Sequence, residues 1–377
     1  MMRRLPAARR LEPRAVWTAG LILLAAAALW FHDLNGRALW WDEIGELLIT
    51  RQNLHDLLVT MSALPGPRLE EPELAPPNEP HPPLFPLSQH AWIGLMGTSD
   101  FAMRFPNVAC AVLALALLYP LGRRLDGPPT ARLAMFLVVL SPFWLMYART
   151  ARYYALTALV GLAATLAFLA VLRRPTVGRW AAYGVATALL PYTNYIAGVL
   201  VLAQALYLFW ARPGRRWLLT WAGVVMAAGL AFLPWLPVWR AQTALLAAAA
   251  PADLAVSPLG LALKLGFPFL SFTAGETTFP WEAPALISYA ALSFLFARGL
   301  LALARPGRRA ALIVIWLALP VLATALILTF VTPTIPFITV GYRLLFAFPY
   351  AVLPMAAGLS RLGRAGRAGL LAALVLA

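Results

Sequence analysis

Ten of the 15 acidic residues and all four histidines of this chain fall between His32 and Asp100. Within that stretch Trp40-Trp41-Asp42-Glu43 sets two carboxylates behind two tryptophans, a residue type that favours the membrane–water interface. Held at that depth, Asp42 or Glu43 could act as a general base. The plainer reading is a pair of solvated acids capping a helix that begins near Ile44. In Glu79-Pro80-His81-Pro82-Pro83-Leu84 three prolines fix the backbone around one histidine, either aiming its ring or making an ordinary turn. Met103-Arg104-Phe105-Pro106 carries an arginine that either faces a ligand or snorkels. In Ala148-Arg149-Thr150-Ala151-Arg152-Tyr153-Tyr154 the two arginines share a face if the segment is helical. Their planar, forked guanidinium groups suit phosphate, although pairing with the acids of the first loop is an equally physical use. Gly341-Tyr342-Arg343 adds one more cation of the same kind. Carboxylates and arginines in this combination suit chemistry on an anionic, phosphate-bearing ligand.

The elements that must position these residues are membrane spans. Of 377 residues 62% are hydrophobic and 12% charged, with a mean hydropathy of +0.75. Soluble domains are about 45–50% apolar and about 25% charged, so both a soluble globule and a disordered chain are excluded. Apolar runs near Val16–Phe31, Phe105–Gly122, Leu133–Ala148, Tyr154–Leu172 and Trp180–Leu190 are candidate spans. Further runs lie near Tyr195–Ala211, Trp217–Leu236, Pro284–Ala304, Ala310–Val331 and Tyr342–Ser360. The expected fold is therefore an all-α polytopic membrane module of about ten transmembrane helices over residues 1–377. Gly369–Ala377 is too short to cross and reads as a truncated eleventh span or an interfacial segment. Pro191 to Tyr195 should make the turn between the two weakest spans.

The net charge of +15 is spread as arginine clusters between apolar runs, which speaks for membrane topology and against a nucleic-acid partner. With ten spans and a cytoplasmic N-terminus, the clusters at 3–14, 123–132, 173–179, 212–216, 298–309 and 361–367 all fall inside. The motif-bearing loops, 32–104 and 237–283, then lie outside the cytoplasm, and amphipathic stretches at Glu43–Met61 and Leu87–Met96 could rest on the bilayer surface. One lysine among 30 basic residues suggests a GC-rich bacterial genome and hence a plasma (bacterial inner) membrane. The single cysteine, Cys110, excludes an internal disulfide framework. No phosphate-cradling glycine loop, dinucleotide fingerprint or His-Glu-x-x-His motif is present. Span interiors hold almost no ionisable residues, unlike most ion-coupled transporters. The histidine spacings fit no standard metal pattern, which leaves a composite divalent-metal site open.

Asp42-Glu43 after the first span, His81-Pro82-Pro83-Leu84, and Arg104-Phe105-Pro106 at the next span together resemble the protein O-mannosyltransferase and family 39 branch of the GT-C glycosyltransferases. Ser141-Pro142-Phe143 through Tyr147-Ala148-Arg149-Thr150-Ala151-Arg152-Tyr153-Tyr154-Ala155-Leu156 is similar to a further pattern of that family. The resemblance covers roughly residues 39–230. It implies an inverting enzyme that moves a hexosyl or pentosyl group from a polyprenyl-phosphate donor to a hydroxyl acceptor on a lipid, glycan or protein. By the same resemblance Asp42 would be the base, with Glu43, His81 and Arg104 in the active-site region. Arg149, Arg152 and Tyr153 would meet the donor phosphate, and Arg343 would be a second phosphate contact. The resemblance fixes no cofactor, and a divalent ion could assist. Two other functions compete: a transporter or flippase that holds a lipid-linked glycan without cleaving it, and a metal-dependent hydrolase built on the four histidines.

Overall fold

In hydrocarbon the backbone must satisfy its own hydrogen bonds, so long apolar runs fold as helices. The computed structural model describes residues 13–62, 82–248, 256–276, 279–304, 308–333 and 336–376, and every regular element among them is helical. The order is α1 (Pro13–Phe31), α2 (Trp41–Thr50), α3 (Leu54–Met61), α4 (Leu84–Met96), α5 (Asp100–Leu125) and α6 (Pro128–Leu140). Then come α7 (Pro142–Ala148), α8 (Tyr154–Arg173), α9 (Val177–Thr193), α10 (Val199–Ala211), α11 (Arg215–Phe232) and α12 (Leu236–Ala248). The chain ends with α13 (Pro258–Ala274), α14 (Ala283–Ala304), α15 (Arg308–Phe330), α16 (Val340–Arg343), α17 (Phe348–Ser360) and α18 (Arg364–Leu376).

Among the described residues five helical stretches are long and apolar enough to cross a membrane: Asp100–Leu125, Tyr154–Arg173, Arg215–Ala244, Ala283–Ala304 and Arg309–Phe330. Two bent pairs, α6 with α7 at 68° and Phe337–Arg343 with Leu345–Ser360 at 50°, would raise the number to seven. Val16–Phe31 and Tyr195–Ala211 are apolar helices of shorter reach. All ten runs read from the sequence thus lie on helices. The break between α9 and the next helical segment falls at Asn194, whose side chain accepts from Ile196 N; Pro191 stays within the last turn of α9. One apolar helix, Pro258–Ala274, was not anticipated, because it lies in the stretch 237–283 assigned to a loop. The amphipathic stretches of the first loop become α2, α3 and α4.

The centre of the bundle is α17. It is apolar around its whole circumference, and every residue from Phe348 to Leu359 is buried, as such a helix must be. It packs against α6, α14 and α15, while α5 lies between α6 and α8, and α8 continues the layer to α9. At the α14–α17 crossing a Cβ on Gly299 would stand 1.8 Å from the Pro354 carbonyl oxygen, and one on Gly358 would stand 2.2 Å from that of Leu295. Backbones meet there only because both residues are glycine, the small-residue packing usual between membrane helices. One set of polar atoms inside the bundle pairs with itself: Trp316 Nε1 donates to Thr165 Oγ1 at 2.9 Å, which lies 2.7 Å from the Tyr350 hydroxyl. Lys264, the chain's single lysine, is buried and donates to the carbonyl of Leu328 at 2.6 Å. Its charge meets the C-terminal, negative end of α15, which ties α13 to that helix.

Gly299→Ala is expected to force the α14–α17 contact apart at a cost of about 1–3 kcal/mol, the range for overpacking. A clear fall in the thermal midpoint of the purified protein in detergent would be the sign of it. An unchanged midpoint would mean that the two backbones are not in contact.

Candidate active site

The Asp-Glu pair at the start of α2 divides along the helix. Successive helical residues point about 100° apart, so Asp42 and Glu43 cannot face the same partner, whereas Asp42 and Glu46, four apart, can. Glu43 turns inward and is fully buried, at 0% exposure. Its Oε1 accepts from Arg104 Nε at 2.8 Å and from Ala151 N at 2.9 Å; its Oε2 accepts from Arg104 Nη2 at 2.6 Å and from Trp40 N at 3.1 Å. The last bond also caps α2, satisfying a donor that the first turn leaves open. Arg104, 2% exposed, gives its three remaining donors to the carbonyls of Leu34 and Arg37, both at 2.7 Å, and of Ala38 at 3.0 Å. All five guanidinium N–H groups and all four lone-pair directions of the carboxylate are therefore engaged.

Pro106 explains why Arg104 sits where it does. Having no N–H, it leaves the Ala102 carbonyl without its helical partner, and the Trp92 indole donates to that oxygen at 2.9 Å. Nearby, Gln89 Nε2 donates to the Met103 carbonyl at 2.9 Å, so α4 is fastened along the first turns of α5. One turn after Arg104, the buried Asn107 donates through Nδ2 to the carbonyls of Tyr147 at 2.8 Å and Thr150 at 2.7 Å. Its Oδ1 accepts from Ala155 N at 3.2 Å. The turn between α7 and α8 is thereby fixed from α5. That segment is a bend, not a helix, so Arg149 and Arg152 do not share a helical face. Arg149 donates to the carbonyls of His32 at 2.8 Å and Asp33 at 3.0 Å, strapping the end of α1, while Arg152 points to α2.

Arg152, 4% exposed, lies between two carboxylates, 3.4 Å from Asp42 Oδ1 and 3.3 Å from Glu46 Oε2. Asp42 is the open member, with 31% of its side chain exposed against 1% for Glu46. Behind this trio stands a cluster of tyrosines. Tyr153 and Tyr154 are 4.7 Å apart by ring centroid, Tyr154 and Tyr342 5.3 Å, and Tyr342 and Tyr147 5.4 Å. The half-buried Arg343 places its guanidinium 5.5 Å from the centroid of Tyr342, and its carbonyl accepts from Asn194 Nδ2 at 3.2 Å. On the far side of the cluster the Tyr147 hydroxyl donates to Glu276, a carboxyl whose burial raises its pKa above the usual range.

Asp42 and Arg152 thus meet directly, Tyr153 belongs to the tyrosine cluster that ends at Tyr342 and Arg343, and Glu43 and Arg104 form the fastening of α2. Arg149 faces elsewhere, and His81 lies outside the described residues. Of the other histidines His32 and His55 are exposed and His90 Nδ1 lies 2.8 Å from the Thr50 carbonyl at the end of α2. Among the described residues no group of three or more His, Cys, Asp or Glu is arranged to hold a metal. Between Asp42 and Glu46 lies the Arg152 guanidinium. Glu46, Asn107, Tyr147 and Glu276 were missed from the sequence. Only Glu46 left a signal there, its four-residue spacing from Asp42.

Residues 80–240 match the family model described as dolichyl-phosphate-mannose-protein mannosyltransferase, a stretch that includes Arg104, Arg149 and Arg152 but begins after Asp42. No curated protein matches the sequence. The fold is similar to that of ArnT from Cupriavidus metallidurans bound to undecaprenyl phosphate, with a TM-score of 0.63 at 16% identity. That likeness covers 95% of this chain and 62% of ArnT, so the chain spans less than two thirds of its relative's length. The Archaeoglobus fulgidus oligosaccharyltransferase is similar at a TM-score of 0.54 and 14% identity, over 92% of this chain and 50% of that one. The chain shares the fold of these two proteins.

Glu43→Gln would leave the Arg104 guanidinium buried without its charge partner, which typically costs about 3–5 kcal/mol. The expected outcome is a large loss of thermal stability, with Arg104→Lys nearly as damaging because an ammonium cannot reproduce the five-donor fork. A stable Glu43→Gln protein would mean that α2 is held by other contacts.

Proposed function

We propose that this chain is an inverting glycosyltransferase that moves a sugar from a polyprenyl-phosphate donor to a hydroxyl acceptor. The observation that carries the reading is the Asp42–Arg152–Glu46 group: a half-exposed carboxylate at a helix start, with its charge balanced by a buried arginine. The family match over residues 80–240 and the fold shared with ArnT support it. The site lies on the extracytoplasmic side of a bacterial plasma membrane, with the N-terminus in the cytoplasm, as the arginine distribution indicates. The donor's tail would run in hydrocarbon; an apolar cavity of about 310 Å³ bordered by Leu265, Phe269, Phe272, Phe296, Leu300 and Val321 is suited to it.

In the reaction the acceptor oxygen attacks the anomeric carbon through an oxocarbenium-like transition state, and the bond from that carbon to the phosphate oxygen breaks. Asp42 takes the acceptor proton. Arg152 orients Asp42 and, with Arg343, supplies positive charge to the departing phosphate in a site poor in water. Arg104 and Glu43 act by position, since every donor and acceptor they have is engaged within the protein. The donor carries its own activated bond, which accounts for a chain without a nucleotide-binding motif.

The test is release of free polyprenyl phosphate from a panel of undecaprenyl-phosphate hexoses and pentoses with native acceptors added. Asp42→Asn is expected to lower turnover by about 10²–10⁴-fold, the usual contribution of a general base. Arg343→Ala is expected to lower kcat by about 10²–10³-fold, as for loss of one donor to a developing anion. Donor moved across the bilayer but left intact would favour transport. Full turnover in Asp42→Asn would remove the base assignment.

A further inference from the structure

At the end of the bundle opposite Asp42, arginines from three helices come together. Arg123 and Arg124 stand in the last turn of α5, Arg173 in the last turn of α8, and Arg179 in the first turn of α9. Helix α8 packs against both α5 and α9, so these ends share one place. The charges of Arg123, Arg173 and Arg179 all act on Arg124. Arg124 and Arg173 are exposed, and Arg123 and Arg179 are half-buried. Arg104 and Arg124 are separated by about 30 Å of helix at 1.5 Å per residue, which is the thickness of a bilayer core. The cluster therefore stands at the membrane surface opposite the Asp42 site.

Little within the protein offsets these charges. Arg124 Nη1 donates to the Leu166 carbonyl at 3.4 Å and Arg179 Nη1 to the Arg174 carbonyl at 2.9 Å, so two of the four lean on the C-terminal, negative end of α8. Among the described residues no carboxylate pairs with any of them. The one described acid at this end, Asp126, is already held by the Arg361 fork and the Thr130 hydroxyl. Glu12 lies outside the described residues. Arg179 also stands in the first turn of α9, where the helix dipole disfavours a cation. Like charges brought together on three helix ends call for an anion.

The surroundings decide what kind of anion. Two residues before Arg173, the Val171 carbonyl accepts from Trp217 Nε1 at 3.2 Å. Trp180, next to Arg179 in the chain, lies 5.2 Å from Trp217 by ring centroid. Paired indoles belong at the level of lipid headgroups. Toward the middle of the bilayer the surface that carries Arg124 becomes apolar. Leu113, eleven residues earlier and so on nearly the same face of α5, is 54% exposed. Guanidinium forks at the surface above a bare apolar wall match a molecule with an anionic head and acyl chains. A soluble phosphate ester would use only the upper part. We propose that Arg123, Arg124, Arg173 and Arg179 bind the phosphodiester headgroup of an anionic phospholipid in the leaflet opposite the Asp42 site, with Trp180 and Trp217 beside its glycerol esters. This site does not depend on the glycosyltransferase reading.

The experiment titrates the full chain in detergent with phosphatidylglycerol or with phosphatidylcholine of the same acyl chains, read by native mass spectrometry and by the thermal midpoint. Phosphatidylglycerol should bind about tenfold tighter or better, and should raise the midpoint as a ligand of the folded state does. R123Q/R173Q removes two of the charges and neither of the bonds to the α8 carbonyls. It should keep the lipid-free midpoint and bind phosphatidylglycerol about 30-fold more weakly, about fivefold for each arginine. R132Q/R364Q removes the same charge away from α8 and should bind as wild type does. If R123Q/R173Q does not fold, R173Q alone should show the loss of about fivefold. Equal affinity for the two lipids, or an equal loss in both double variants, would overturn the site. So would glycerol phosphate raising the midpoint as far as phosphatidylglycerol, since the occupant would then be a soluble ester.

Discussion

The Arg104 guanidinium has five N–H groups and every one is bound, two of them to a carboxylate that is itself saturated. This buried pair joins parts of the chain that the sequence keeps far apart. They are the turn after α1, the first turn of α2, the start of α5 and, through Ala151 N, the bend between α7 and α8. A buried ion pair is not in itself a strong source of stability, because both partners lose their hydration. Its value here is geometric. With the fork closed on Glu43 and the three carbonyls of residues 34, 37 and 38, α2 can start in one place and with one rotation. That rotation aims Asp42 and Glu46 at Arg152.

Charge in this part of the molecule is arranged in groups of opposite sign. Asp42 and Glu46 share Arg152; Glu43 has Arg104; Asp126, at the opposite end of α5, has the Arg361 fork at 2.8 Å. Such compensation is what a site between hydrocarbon and water requires, because an uncompensated ion there would draw in solvent or change its protonation state. Among the described residues Glu276 has no cation beside it, and burial raises its pKa. The tyrosine cluster joins the two kinds of acid. Its rings are apolar enough to pack against the bundle, and their hydroxyl groups can carry hydrogen bonds to either side.

Asn107 shows how few atoms this requires. A single side-chain amide, one turn after Arg104, holds the carbonyls of Tyr147 and Thr150 and the N–H of Ala155. The bend between α7 and α8 has no regular hydrogen bonding of its own, so the amide supplies it. Arg149 and Arg152 part company as a result, one turning to α1 and the other to α2. The same logic applies at Pro106, where a helix interrupted by a missing N–H gains a bond from Trp92 and with it a fixed neighbour.

The sequence by itself determined that this is a helical membrane protein, because apolar runs of that length leave the backbone no other way to satisfy itself. It also marked Asp42, Arg104, Arg152 and Arg343 as residues to watch, since charge is conspicuous where it is scarce. What it left open was which of them meet. The roles of Asp42 and Glu43 differ by one step of helical rotation, and the direction of that step depends on a partner 61 residues away. The stretch 258–274 read as loop, yet it folds as a helix packed on α14 and α15. Glu276 carried no signal at all, as an acid after a glycine is common in turns. Only the tertiary structure brings it under Gly341 and against Tyr147, because burial is a property of neighbours in space.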